Sequence, residues 1–390
     1  MSSEVGMPNL SDDMFEEILS RLPVKSLCRL KCVSKSWLHL IAKPHFIDTQ
    51  LNRTQKHKVI FGTTASLSSL DPEAAIDDDN MPPSSLDFPL KGKPGTRLEM
   101  VGLSNGLACI MPQPDALFIF NPSTGESMRV PERVLTKKQK KRKSTVLHGF
   151  GYAPSIKDYR MVKIILDDGV VLMFSLTNKS WKRVENIPDE YDLCSWRKWD
   201  PLNGAFHWLL EDMGDEDPPF IAAFDLADGK FSNLPLPESF DGDYKYFTTG
   251  ILGGCLCLLE SYPFGFEFSC WVMEKYGVKE SWTRIRFVCQ NSGFLISVMP
   301  ICYWKKTKEL LAIIDYCHLV RLTNPTDGTY YVGPVNKDRF DHPIPIYLSS
   351  WLHVYVESLA SPRLISTRKK KKKRNKKKMR QDGGPAVRQR

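Results

Sequence analysis

From Pro8 to Phe46 the apolar residues of this chain fall at helical spacing, whereas downstream they gather in short runs cut by turn-forming residues. Met14, Phe15, Ile18, Leu19 and Leu22 make one stripe, with Asp13, Glu16, Glu17 and Arg21 on the polar side, which predicts a first helix. Ser11 or Asp12 can cap its start; the acids cluster at its positive N-terminal end and Arg21 lies at its negative end. Pro23 has no amide hydrogen, so it closes this helix at Leu22 and opens a second, in which Leu27 and Leu30 face inward. Ser34 caps a third helix carrying Trp37, Leu38 and Ile41, and Pro44 limits how far it runs.

Three helices in about 40 residues are near the size below which a domain seldom folds alone. Two readings follow. Either the unit packs on the rest of its own chain, or Leu10, Ile18, Leu19, Leu22 and Leu27 leave an apolar surface for a partner helix.

Behind the helices, Lys58 to Leu70 combines β-branched and apolar residues with small turn formers and predicts one or two strands. Asp71 to Thr96 has loop-like composition. From Gly102 onward a weak repeat sets the architecture: two short apolar strands, a polar turn, then an aromatic or Met opening a third strand. Met128, Trp181, Phe231, Trp282 and Tyr330 occupy that post-turn position, 53, 50, 51 and 48 residues apart. A period near 50 with several strands per unit predicts a kelch-like β-propeller, since each small sheet must bury both faces against its neighbours. The post-turn aromatics are then inter-blade packing. Five repeats are legible, Lys58 to Leu70 supplies a sixth blade, and His353 to Leu359 can close the ring beside the first. A β-sandwich-like arrangement of the same strands is the alternative. The fold class expected is mainly β with a small N-terminal α domain.

Charge changes the picture at the C-terminus. The chain of 390 residues carries a net charge of +9, yet Arg368 to Arg390 holds 13 Lys or Arg against one Asp, which leaves residues 1–367 at −3. Any affinity for nucleic acid therefore rests on the tail and is nonspecific. Arg368, Lys369, Lys370, Lys371, Lys372, Lys373, Arg374, Lys376, Lys377 and Lys378 form a run too repulsive to fold and suited to a nuclear-import signal, with location in nucleus and cytoplasm as the expectation. A second basic run, Lys137 to Lys143, interrupts the repeat as a solvated loop. No run of 18 apolar residues and no signal-peptide pattern occurs, so no membrane association is expected and the ten cysteines should be reduced thiols.

The patterns that could carry chemistry do not hold together. Gly102-Leu103-Ser104-Asn105-Gly106 matches Gly-x-Ser-x-Gly, but a nucleophile elbow needs a following helix, and Asn105-Gly106 introduces a hairpin instead. Cys255 and Cys257 point to one face of a strand without a second pair of metal ligands; Cys317 and His318 diverge. Gly149-Phe150-Gly151 lacks the rest of a dinucleotide fingerprint. No catalytic residue, metal or cofactor is predicted.

The stretch LSDDMFEEILSRLPVKSLCRLKCVSKSWLHLI resembles the F-box, the adaptor-binding motif of SCF-type ubiquitin ligases, in its common plant form. The resemblance implies that Leu10, Ile18, Leu19, Leu22, Pro23, Leu27 and Val33 contribute to a surface that docks on a Skp-type adaptor, and through it a cullin, while Trp37 holds the third helix. Ser11 stands where the family usually has proline, which puts adaptor affinity at issue. SNGLACI, FNPSTGE, the post-turn aromatics and VYVESLASP resemble the F-box-associated, kelch-like region that follows plant F-boxes, although Gly253-Gly254 is the single glycine pair of the repeat region. The organisation expected is a flexible start at 1–7, an F-box at 8–50, a propeller of about six blades at 58–362 and a disordered basic tail at 363–390. The function implied is a non-catalytic receptor that brings an unknown protein substrate to ubiquitination; the alternative is a nuclear polyanion-binding or scaffold protein that works through its tail.

Overall fold

The structure is a computed structural model that describes residues 11–54, 57–77, 82–113, 116–131, 145–184, 186–188, 191, 201–210, 219–238, 246–261, 267–289, 298–303, 309–314, 318–322, 329–332 and 351–365. The basic runs at 137–143 and 368–378 lie outside the described residues, as do Leu10 and Cys317.

Four helices lead the chain: α1 (Asp12–Leu19), α2 (Val24–Leu30), α3 (Lys35–Ile41) and α4 (Pro44–Arg53). The first ends three residues earlier than its stripe predicts. The Arg21 and Leu22 amides close on Ile18 and Leu19, three residues back, because Leu22 precedes a proline and is pushed out of the α region. Pro44 ends α3 as expected but also opens α4, which the stripe did not predict; proline at the first turn gives up an amide that has no partner there anyway.

Six sheets follow, in ring order. Strands β1 (His57–Gly62), β2 (Leu67–Leu70) and β3 (Ser84–Ser85), with the short helix α5 (Pro72–Asp77) between the last two, make one blade. This corrects the loop reading of Asp71 to Thr96 at Pro72–Asp77 and Ser84–Ser85, while residues 86–96 are turns and irregular chain. The next blade is β4 (Glu99–Ser104), β5 (Leu107–Gln113), β6 (Ala116–Phe120) and β7 (Ser127–Arg129). It is followed by β8 (Val146–Ala153), β9 (Asp158–Ile165), β10 (Val170–Ser175) and β11 (Ser180–Arg183). Then come β12 (Ala205–Leu210), β13 (Phe220–Asp225) and β14 (Phe231–Leu234), and after them β15 (Tyr246–Leu252), β16 (Cys255–Ser261), β17 (Glu267–Met273) and β18 (Trp282–Cys289). The last repeat supplies β19 (Val298–Tyr303), β20 (Leu310–Ile314), β21 (His318–Leu322) and β22 (Thr329–Val332). Finally β23 (Trp351–Val356) runs antiparallel to β1, from His57 opposite Val356 to Gly62 opposite Trp351. The C-terminal strand thus closes the ring on the N-terminal blade, making a six-blade β-propeller.

Each pair of neighbouring blades encloses its own apolar cluster. Leu107, Cys109 and Ile119 meet Phe150, Met161 and Phe174; Val162, Ile164 and Val171 meet Phe206, Ala222 and Phe224. Further round, Ile221 meets Leu256 and Leu258, Cys257 and Phe268 meet Leu310 and Ala312, Ile301 and Leu311 meet Val59 and Phe61, and Ile60 and Leu67 meet Ala108 and Ile110. Both faces of every blade are covered, which is why runs such as Val170–Ser175 are buried without alternation.

The post-turn residues lie in these clusters as inter-blade packing. Within their own sheets Trp181 tilts against its cross-strand neighbour Phe174 at 5.4 Å between ring centroids and Phe231 against Phe224 at 4.8 Å. Both rings also border a cluster shared with the neighbouring blade. The fifth repeat departs from the pattern. Its Tyr330 strand, β22, pairs parallel with β18 of the preceding blade, Phe287 opposite Tyr330, and the two rings stack at 5.6 Å. The expected position, as outer strand of its own sheet, is not the one it takes.

Candidate functional site

The helical unit carries the candidate site, and its caps show how sequence sets its geometry. Ser11 accepts the Met14 amide at 3.3 Å and Ser34 the Trp37 amide at 3.1 Å, each satisfying a helix N–H that has no partner inside the helix. The interior holds Leu19, Val24, Leu27, Ile41 and Phe46, with Leu22, Cys28, Leu30 and Trp37 packed at its edge. Phe15 and Trp37, 6.2 Å apart at their centroids, bring α1 alongside α3.

That closed interior divides the residues expected to dock a partner. Ile18 is 50% exposed and Val33 64%, and Pro23 and Ser11 are also on the surface. Leu22 and Trp37 are half-buried. Leu19 and Leu27, by contrast, are enclosed within the unit, so as the chain stands they hold it together and do not form its outer surface. Two further apolar residues of the helices are also outside: Met14, 52% exposed, and Leu38, 43%. The stripe on α1 is wider than the core it covers, so Leu19 turns in while Met14 and Ile18, one helical turn apart, remain in solvent. The width of the stripe was the signal for this outward set.

The polar side of α1 faces α4. Arg53 donates to Glu17 Oε2 at 2.5 Å and also to the Ser20 hydroxyl, and Arg21 reaches Glu17 Oε1 at 2.6 Å. The Arg53 guanidinium, and after it that of Arg21, hold the Glu17 carboxyl below its ordinary pKa. Glu17 is three residues from Met14 and next to Ile18, so the charged clasp borders the exposed apolar residues of α1.

The unit is seated on the propeller through a residue from the far end of the chain. Leu359, 2% exposed, lies in the helical interior, and Ile47 packs against both that interior and the cluster shared by the β4–β7 and β8–β11 sheets. The buried side chain of Asn121 donates to the carbonyls on either side of Leu359, Ser358 at 2.8 Å and Ala360 at 2.9 Å. Its Oδ1 accepts the Ser123 and Thr124 amides. Of the two readings of the small helical unit, the structure shows packing on its own chain, with exposed apolar residues left over.

The sequence patterns with possible chemistry resolve into strands and turns. Ser104 ends β4, Asn105 and Gly106 both take positive φ as a two-residue hairpin requires, and β5 follows. Ser104 Oγ accepts the Tyr152 amide at 3.1 Å. Gly149 and Gly151 are strand residues of β8. Cys257 is buried, and a hydrogen bond with the free thiol of Cys270, together with burial, pushes its thiol well above the ordinary range; burial likewise raises Cys109. Among the described residues no His, Cys, Asp or Glu cluster could hold a metal ion. No helix among them is long and apolar enough to cross a membrane. One residue the sequence did not single out is His207. It is buried on β12 with Nε2 2.7 Å from the Tyr276 hydroxyl and Nδ1 without a partner, and burial lowers its pKa to about 4.

Comparison with known proteins agrees with this division of the chain. The model of the F-box domain matches residues 7–49, and that of the F-box-associated β-propeller domain matches residues 58–362. The F-box protein CPR1 of Arabidopsis thaliana is 31% identical over 350 residues, which cover 80% of this chain and 82% of that one. The F-box/kelch-repeat protein At3g23880 of the same plant is 26% identical over 379 residues, covering 91% and 96%. Among solved structures, TolB from Acinetobacter baumannii aligns with 72% of this chain and 67% of its own at 12% identity and a TM-score of 0.38, too distant to bear on function.

Proposed function

The chain belongs to the F-box proteins that carry an F-box-associated β-propeller, and from that premise we propose that it is the substrate-recognition subunit of an SCF-type ubiquitin ligase. Its helices dock on a Skp-type adaptor, and through it a cullin, while the propeller holds a target protein for ubiquitination. The observation that supports this reading is the exposed apolar set of Met14, Ile18, Val33 and Leu38 on a unit whose interior is already filled. Large apolar side chains left on a closed domain serve a partner better than they serve the fold. The chain's contribution is to raise the target's effective concentration near a ubiquitin-charged enzyme, with no bond made by its own side chains.

Co-purification with a Skp-type adaptor tests it. The wild type should be retained and Ile18→Asp with Val33→Asp should not; loss of neither, or no binding by the wild type, would sink the reading. The basic run from Arg368 to Lys378 we assign to nuclear import, on its composition alone. Fusion of residues 368–390 to an inert reporter should concentrate it in the nucleus. A diffuse reporter that the same residues retain on nucleic acid in a salt-sensitive way would favour the polyanion-binding role instead.

A further inference from the structure

The junction between helices and ring has an unusual construction. A helical unit of this size is too small to bury a sufficient interior by itself, and one of its innermost residues, Leu359, comes from the segment that follows the ring-closing strand. That segment is held from the propeller side at every step. Lys58 pairs with Glu357 at 2.8 Å, Ser358 Oγ donates to the Asn105 carbonyl at 3.1 Å, Asn121 grips the carbonyls flanking Leu359, and Arg363 donates to the Ser127 carbonyl at 2.9 Å. Gly106 is required here, since a Cβ would meet the Ser358 side chain and come within 2.9 Å of the Val356 carbonyl. The propeller thus holds this segment at Glu357, Ser358, Ala360 and Arg363 and presents the Leu359 side chain to the helices.

We propose that Leu359 makes the fold of the F-box conditional on a closed propeller, so that a chain whose ring is open or misassembled is kept off its adaptor. Until β23 pairs with β1, Leu359 has no fixed position and the helical interior lacks one of its walls. Once the ring closes, Leu359 is delivered in register among Leu19, Leu27, Ile41 and Phe46, and the outer face carrying Ile18 and Val33 becomes fixed. The consequence for adaptor docking rests on the receptor reading above; the coupling between ring and helices does not.

Two variants of the full chain separate the parts. Leu359→Ala removes the inserted side chain and leaves the hydrogen bonds of Ser358 and Ala360 possible. Asn121→Asp keeps the Oδ1 that accepts from Ser123 and Thr124 but loses the donor to Ser358 and Ala360, and sets a carboxylate against their carbonyls. Amide hydrogen exchange should be faster by about tenfold or more at α2 and α3 in both variants, with β9, β10, β13 and β16 keeping wild-type protection. Titration with a Skp-type adaptor should show Leu359→Ala binding about tenfold more weakly, although Leu359 is enclosed and away from the docking face. Wild-type exchange at the helices in both variants would overturn the coupling. A wild-type chain that fails to bind the adaptor would instead overturn the receptor reading, and the exchange measurement would still decide the coupling.

Discussion

The indole Nε1 of Trp181 donates to the carbonyl of Pro131 at 2.7 Å, joining the outer strand of one blade to the exit of the blade before it. The same bond recurs between Trp282 and Pro235 at 3.0 Å, so it belongs to the repeat and not to one site. The two repeat-locked tryptophans therefore do two things at once: the ring packs against an inter-blade cluster and the N–H holds a carbonyl of the preceding blade.

Trp181→Phe keeps a six-membered ring against Phe174 but loses the hydrogen bond, at about 0.5–1.5 kcal/mol, and part of the indole's contact area. Trp181→Ala should cost more, about 3 kcal/mol, because packing is lost as well. Urea unfolding of the two variants measures both; equal losses would mean that the bond, not the ring, holds the blades together.

The exposed and enclosed residues of the helices should separate in experiment. Ile18→Asp and Val33→Asp should leave thermal stability within about 0.5 kcal/mol of wild type while abolishing adaptor capture, as expected for surface positions. Leu27→Ala should instead destabilise the helices by about 2–5 kcal/mol, seen as a loss of helical signal at lower denaturant.

Ser104 sits in a hydrolase-like pattern yet serves a hairpin. Ser104→Ala should leave any ester-hydrolysing activity of a preparation unchanged and remove one hydrogen bond, the one from Tyr152, at about 1 kcal/mol. Gly106→Ala should be the harsher change, about 1–3 kcal/mol, since alanine is strained at φ +74° and its Cβ meets Ser358.

His207 should make stability pH-dependent. Burial lowers its pKa from 6.5 to about 4, so as pH falls the unfolded chain takes up the proton first. Its stabilising contribution is complete above pH 6.5 and is lost as pH falls from there to about 4, at roughly 1.4 kcal/mol per pH unit. His207→Gln should flatten the urea midpoint across that window by one proton's worth; an unchanged slope would place the proton elsewhere.

Much of the architecture was legible because it is written in local patterns. Turn residues and the aromatics that follow them recur at a period near 50, and the closing role of His353 to Leu359 followed from that period once Lys58 to Leu70 was taken as a blade. The capping by Ser11 and Ser34 was equally local. The transfer of β22 to the neighbouring sheet was not legible, because a strand's composition does not state which edge it joins.

For the candidate site the division runs between periodicity and burial. By itself the sequence determined that an amphipathic helical unit precedes a series of β repeats with a period near 50, since spacing, caps and turns act over a few residues. Only the tertiary structure decided which apolar residues of the helices are interior, enclosing Leu19 and Leu27 and leaving Met14, Ile18, Val33 and Leu38 in solvent. It alone, too, brought Leu359 into that interior. An apolar residue carries no mark of its partner until the chain has closed and the water between the two has been excluded.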